Sequence, residues 1–273
     1  DLHGTSHSFP TRRSSDLEGD IKTCTVSRTS TGKYFVSILV DDKELVQESQ
    51  PFSSDTTIGI DVGLIHFATL SDGTKVENPR IFKKTSVKLK RLQQSVSRKV
   101  KGSNNYKKAK LKVAKCHETI TNQRSDFLHK LSFTLVSENQ AIAIEDLNVS
   151  GMVKNRRLAK HIADASWSEF RSQLDYKCKK YGKTLLTIGR FDPSSKICSH
   201  CGYHNKNLKL GDRMWICSDC GSELDRDHNA AKNIKRFALL KQNTGQELPG
   251  ELVKIESDIR EDALINEAGS QRL

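Results

Sequence analysis

Four cysteines and three acids carry most of the chemistry open to this chain. Cys198 and Cys201 form one C-x2-C pair, Cys217 and Cys220 a second, with fifteen residues between them. This spacing lets two tight turns aim four thiolates at one tetrahedral ion, the pattern of a structural zinc ribbon. Sulfur fills every coordination position, so such a site is closed to substrate and serves the fold. Gly202 and Gly221 each follow a pair and give the backbone the freedom a knuckle turn needs. Trp215 and Ile216 offer the second hairpin something to pack, and His200 and His204 read as surface residues.

The acids ask for a different metal. Asp61 stands near the end of TIGIDVG, Glu145 closes AIAIE, and Asp225-Arg226-Asp227 opens a helical pattern. Three convergent carboxylates are hard oxygen ligands suited to Mg2+ or Mn2+. Two such ions about 4 Å apart activate water and stabilise the leaving oxygen when a phosphodiester is cut. Each acid also has a structural alternative: Asp61 could cap a turn, Glu145 could pair with a lysine, and Asp225 or Asp227 could cap the helix. Both strand acids follow apolar residues, where an unpaired charge is costly, which favours a shared role. Of the last pair, Asp227 is the candidate ligand and Asp225 the cap or support.

The elements that must position these residues alternate. The stretch 21–45 has apolar residues every second position around Ser30-Thr31-Gly32, the pattern of a β-hairpin. Residues 57–63, 66–70 and 75–77 predict an antiparallel meander with Asp61 on its first strand. Residues 141–145 and 185–188 predict two more strands. Between them, 80–138 predicts two helices broken near 101–105, with Leu111, Ala114, Thr119, Ile120, Phe127, Leu128, Leu131 and Leu135 turned inward. Residues 150–161 read as a polar connector. Trp167, Phe170, Leu174 and Cys178 share one face of a further helix, and 225–240 predicts the last one. An RNase H-like sheet would bring all three acids to one edge.

Charge narrows the partners. The 273 residues carry a formal net charge of +12, and no acid interrupts the lysines and arginines between Lys83 and Lys115. The run is either a solvated face or, more naturally at this length, a surface for phosphates. Seven cysteines, an odd number containing two metal-type pairs, argue against a disulfide framework and for the reducing cytoplasm. No apolar run approaches the roughly 18 residues of a membrane span, so no membrane partner is expected.

Four stretches together carry a family resemblance: GIDVGLIHFATLSDG (59–73), NQRSDFLHKLS (122–132), IAIEDLNVSGM (142–152) and the run from PSSKICSHCG to DRDHNAAKNI (193–234). In these the chain resembles the TnpB (OrfB) proteins of bacterial and archaeal insertion sequences, long described as transposases. The resemblance covers about 21–250. It implies an α/β fold, an RNase H-like (RuvC-type) mixed sheet with helices and an inserted four-cysteine zinc ribbon, to which the residues themselves add a basic helical hairpin insertion and a disordered tail. It also implies an RNA-guided DNA endonuclease, with DNA and a guide RNA from the element as partners. Its catalytic acids fall on Asp61, Glu145 and Asp227, with Mg2+ or Mn2+, and its zinc ligands on Cys198, Cys201, Cys217 and Cys220.

The expected domains follow. Residues 1–17 contain FPTRRSSDL, which reads as a translated sequencing adapter. Residues 18–50 are the remnant of an N-terminal β domain. The nuclease domain is 51–241, with the ribbon at 197–222 and the basic insertion at 80–138. Residues 242–273 form an acidic flexible tail. Two alternatives stand beside the nuclease: a zinc-ribbon nucleic-acid-binding protein without catalysis, and an inactive fragment of a longer protein.

Overall fold

The computed structural model describes residues 19–41, 47–209 and 211–244. The expectations for 1–17 and for the tail beyond 244 lie outside the described residues. Residues 242–244, read above as the start of that tail, belong instead to the last helix. The chain divides into two compact units: Asp1–Val46 with Thr85–Thr121, and Gln47–Lys84 with Asn122–Leu273.

In the described part of the first unit, β1 (Asp20–Arg28) and β2 (Tyr34–Asp41) form the expected antiparallel hairpin. Thr31 Oγ1 donates to Glu118 Oε1 at 2.9 Å, and Lys33 pairs with Glu118 Oε2 at 3.2 Å. Helices α1 (Ile81–Ser97) and α2 (Asn104–Glu138) are separated by residues 98–103, close to the break expected near 101–105. Every Lys and Arg from Lys83 to Lys115 is exposed. Ala109, Cys116 and Ile120 are buried, a stripe at i, i+7 and i+11. Leu111, expected inward, is exposed, because two residues past Ala109 lie about 200° around the helix. Thr119 is exposed as well.

The second unit is built on one mixed sheet. Its order is β5-β4-β3-β6-β7, from β3 (Thr57–Val62), β4 (His66–Leu70), β5 (Lys75–Glu77), β6 (Ala141–Glu145) and β7 (Thr184–Ile188). The meander β3-β4-β5 is antiparallel, and β6 and β7 run parallel to β3. The strands alternate between two kinds of side chain because each face has its own cover. Ile58, Ile60, Ile142 and Ile144 point into a core with Leu128, Leu135, Phe170 and Leu174. Phe67 fills its centre, with Phe127 and Phe170 edge-on at 5.0 and 5.2 Å. The opposite face presents small residues, Ala141 and Ala143, to Ile234, Phe237 and Ala238 of the last helix, α6 (Arg226–Thr244).

The expected polar connector is partly helical: α3 (Val149–Met152) and α4 (Ala159–Ala165) overlap its two ends. Asn148 Oδ1 accepts the Gly151 N–H and so caps α3, while Ile162 and Ala165 bury one face of α4. Helix α5 (Trp167–Lys180) buries Trp167, Phe170, Leu174 and Cys178 as expected. The first turn of α1 enters this unit too, where Asp164 accepts the Phe82 N–H at 3.0 Å. No helix among the described residues is long and apolar enough to cross a membrane.

Candidate active site and metal centre

The sheet register places the first two acids. Ile60 pairs with Ile144 across the parallel β3-β6 ladder, so Asp61 and Glu145, the next residues, stand level on adjacent strands. Alternation turns both toward the side of Gly59 and Ala143, the face that α6 covers. Gly59 is what lets α6 come close. A Cβ there would lie 2.2 Å from the Ala231 carbonyl oxygen and 2.8 Å from Lys235 Cβ. The contact sits two residues before Asp61 and four after Asp227, so the small strand residue sets the approach of the third acid.

Asp227 occupies the first turn of α6, and Asp225 Oδ1 accepts the N–H groups of Asp227 and His228, both at 3.0 Å. Asp225 is therefore the cap, ion-paired with Lys75 at 2.7 Å. Asp227 also faces a cation: Arg213 Nη1 lies 3.3 and 3.4 Å from its two carboxylate oxygens.

The electrostatics fit a shared neighbourhood with Asp61 in the middle. Burial first, then the charges of Asp227 and Glu145, hold the Asp61 carboxyl well above its ordinary range, against the opposing pull of Arg226 and Arg213. Glu145 is pushed up to about 7, by burial first and then by Asp192 and Asp146. Asp146 does not share this fate. Its carboxylate is ion-paired with Arg171 and, at 3.0 Å, with Arg190, which hold it below the usual range. Asp61, buried beside the charges of Asp227 and Glu145, suits a divalent cation, whose charge would reverse the penalty that Asp61 and Glu145 bear.

The cysteines form a tighter set. Their four sulfurs lie within 4.8 Å of one another, with Cys198 and Cys220 at 3.7 Å and Cys201 and Cys217 at 3.5 Å. A tetrahedral zinc with Zn–S bonds of about 2.3 Å separates its sulfurs by about 3.8 Å, so the donor set fits a metal. The two knuckles repeat one hydrogen-bond pattern. The N–H groups of Cys198 and Cys217 donate to the carbonyls of Tyr203 and Ser222, and those of Gly202 and Gly221 donate back to the carbonyls of Cys198 and Cys217, all at 2.9 Å. Both glycines have the positive φ expected of them, +80° and +72°. Trp215 is buried with Leu208 and Leu224 beneath the sulfurs. Ile216, expected to pack beside it, is exposed: β8 (Met214–Ile216) and β9 (Glu223–Asp225) form a two-stranded ribbon whose alternate residues face out.

Residues 36–156 match the family described as "Probable transposase", and residues 167–234 the one described as "Cas12f1-like, TNB domain". The chain is 30% identical over 213 residues to "TnpB-like protein MJ0751" of Methanocaldococcus jannaschii, covering 72% of this chain and 73% of that one. The chain belongs to the TnpB-like family. Within the family it is 49% identical over 213 residues to a Streptomyces pristinaespiralis protein named "Putative RNA-guided DNA endonuclease", covering 78% of this chain and 52% of that one. The chain thus spans about half the length of that relative. Among solved structures, "Cryo-EM structure of the Cas12f1-sgRNA-target DNA complex" aligns with a TM-score of 0.51 at 16% identity, over 77% of this chain and 44% of that one. At that identity the likeness concerns the fold alone, a mixed sheet with helices.

Two features of this TnpB-like site escaped the sequence reading. Asn229 and Asn233, one turn apart on α6, are buried and tie the helix to the first knuckle. Asn229 Oδ1 accepts the Ser199 N–H at 2.8 Å and its Nδ2 donates to the Ile197 carbonyl at 2.7 Å; Asn233 Nδ2 donates to the carbonyls of Ser194 and Ile197 at 2.7 and 2.6 Å. Polar residues four apart among the inward Ala230, Ala231 and Ile234 were the available signal. Arg213, outside any periodic pattern, gave none.

Proposed function

We propose that this chain is the nuclease portion of a transposon-associated, RNA-guided DNA endonuclease. It cuts phosphodiester bonds with two divalent cations, Mg2+ or Mn2+, held by Asp61, Glu145 and Asp227. The observation that supports this best is the level register of Asp61 and Glu145 under the helix that bears Asp227, with Asp61 feeling the charge of both others. When bound, the cations supply an activated water and a counter-charge for the departing oxygen. The strand acids offer fixed oxygen donors on a rigid sheet. Arg213 steadies the Asp227 carboxylate, and Asp225 holds the first turn of its helix. Arg171 and Arg190 keep Asp146 engaged, so Glu145 is the carboxylate left to face the cation. The four cysteines hold a structural Zn2+ that fixes the approach to Asp227 through Asn229 and Asn233. The exposed lysines of α1 and α2 suit the phosphates of DNA and of a guide RNA supplied by the element.

A second reading, a zinc-ribbon nucleic-acid-binding protein without catalysis, draws on the Arg213–Asp227 pair, which would satisfy that acid with no metal. Cleavage separates the two. The chain is incubated with RNA transcribed from the adjoining element, a matching DNA and Mg2+, beside Asp61→Ala and Asp227→Ala. The nuclease reading expects cutting by the parent and a loss of at least about 100-fold in each variant, with DNA binding retained. Variants that cut as well as the parent would end it. Elemental analysis should find one zinc per chain, and none would end the ribbon assignment.

A further inference from the structure

Phe191 is 92% exposed, and it stands three residues past Ile188, the register partner of Glu145. An aromatic ring so placed is not a loose end. The turn that carries it is closed twice: Asp192 N–H donates to the Gly189 carbonyl at 3.3 Å, and Asp192 Oδ2 accepts the Gly189 N–H at 2.7 Å. The ring is thus held out at the tip of a braced turn. Beside it opens a cavity of about 420 Å3, with Ile188 and Phe237 among its apolar lining and Asp146, Arg190, Asp192 and Lys241 as its charged lining. Arg190 is pinned there by Asp146, through Nε to the backbone carbonyl at 3.3 Å and Nη2 to the carboxylate at 3.0 Å.

We propose that Phe191 and this cavity form a binding site for one unpaired nucleobase of a single-stranded DNA. The base stacks on the Phe191 ring over the apolar lining, while Arg190 and Lys241 favour the phosphates on either side. Exposed aromatics flanked by cations are how proteins hold single strands without reading their sequence. A duplex cannot use this site, because its bases are already stacked on each other. Ile188 in the lining is the strand partner of Glu145, so a base stacked there would carry its neighbouring phosphates toward that acid; that last step rests on the nuclease reading, whereas the stacking does not.

The test needs no turnover. The full chain is titrated, in buffer without divalent cations, into a short single-stranded DNA carrying 2-aminopurine, and into the duplex of the same sequence. Phe191→Ala and Phe191→Trp are run in parallel, with zinc content and thermal melting as checks on folding. The site predicts quenching of the probe by the parent and by Phe191→Trp. For Phe191→Ala it predicts lost quenching and single-strand affinity weaker by roughly 5- to 100-fold, with duplex affinity unchanged. Equal quenching and affinity for Phe191→Ala and the parent would overturn the proposal. So would no quenching by the parent, or an equal loss on single strand and duplex, which marks a general effect on the fold or charge. Cleavage that survived in Asp61→Ala would sink the nuclease reading and leave this result intact.

Discussion

The two candidate metal sites are neighbours joined through α6, yet they are built by opposite routes. Each cysteine pair is local: two residues separate its members, and the same short-range hydrogen bonds shape both knuckles. The acids stand at positions 61, 145 and 227, the first two level on a parallel ladder and the third on a helix pressed on a glycine. Under the proposed function the first site takes its order from a bound zinc. Under that same proposal the second is positioned by sheet and helix, with Asp61 buried beside the charges of Asp227 and Glu145. The difference teaches that removing the metal from each site should have opposite structural consequences.

The largest effect expected is at the ribbon. Cys217→Ser should abolish stoichiometric zinc and open the stretch 198–225 to proteolysis, because structural zinc supplies on the order of 10 kcal/mol to small ribbons. The clamp from Asn229 and Asn233 would lose its partner, and cleavage should fall with it. Omitting Mg2+, by contrast, should stop cutting while leaving the circular dichroism spectrum and the protease pattern unchanged. A Cys217→Ser protein that kept its zinc and its protease resistance would break the distinction.

Gly59→Ala tests the other side. The added carbon would meet the Ala231 carbonyl at 2.2 Å, so strand and helix must part, at a cost of roughly 1–3 kcal/mol. Asp61 and Asp227 lie on the two parted elements. Cleavage should drop by at least about tenfold with zinc content unaltered. Loss of zinc in this variant would show that the two sites are not separable.

These routes also explain what could be read beforehand. The knuckles, their glycines and the buried face of α5 were legible because their causes lie within a few residues of each other. The strands were legible from alternation, and so was the placing of Asp61 and Glu145 near strand ends. The choice of Asp225 as cap over Asp227 was an expectation that the hydrogen bonds to residues 227 and 228 match. Leu111 and Ile216 misled because an apolar residue on a helix or ribbon says nothing of which side is covered. Arg213 and the Asn229–Asn233 clamp act across the tertiary fold, on partners 14 to 39 residues away, and no local period marks such pairs. The grouping of the hairpin with residues 85–121 is likewise a property of packing alone.

Asn233→Ala probes the joint between the two sites. It removes donors to the Ser194 and Ile197 carbonyls in a buried setting, at a cost of about 1–3 kcal/mol. If the ribbon positions Asp227 through this clamp, zinc stays bound while the cleavage rate falls more than DNA affinity does. An unchanged rate would confine the clamp to stability.

The smallest effect is the most specific to the acid cluster. Glu145 is raised from an ordinary 4.5 to about 7, so between those values the folded chain holds a proton that the unfolded chain has released. Its share of stability is then present at low pH and is lost as pH rises through about 7. Glu145→Gln is neutral at every pH and so keeps that share where the parent loses it. With no divalent cation and no chelator, so that zinc remains, the melting temperature of Glu145→Gln should match the parent near pH 5. It should exceed the parent by roughly 2–6 °C near pH 8, the reach of about 1–2 kcal/mol in a domain of this size. Added Mg2+ should close that gap from the parent's side, since the cation relieves the same repulsion that the glutamine removes. A gap of equal size at both pH values would mean that Glu145 is not crowded by its neighbours, and that the acid site is no more strained than the ribbon.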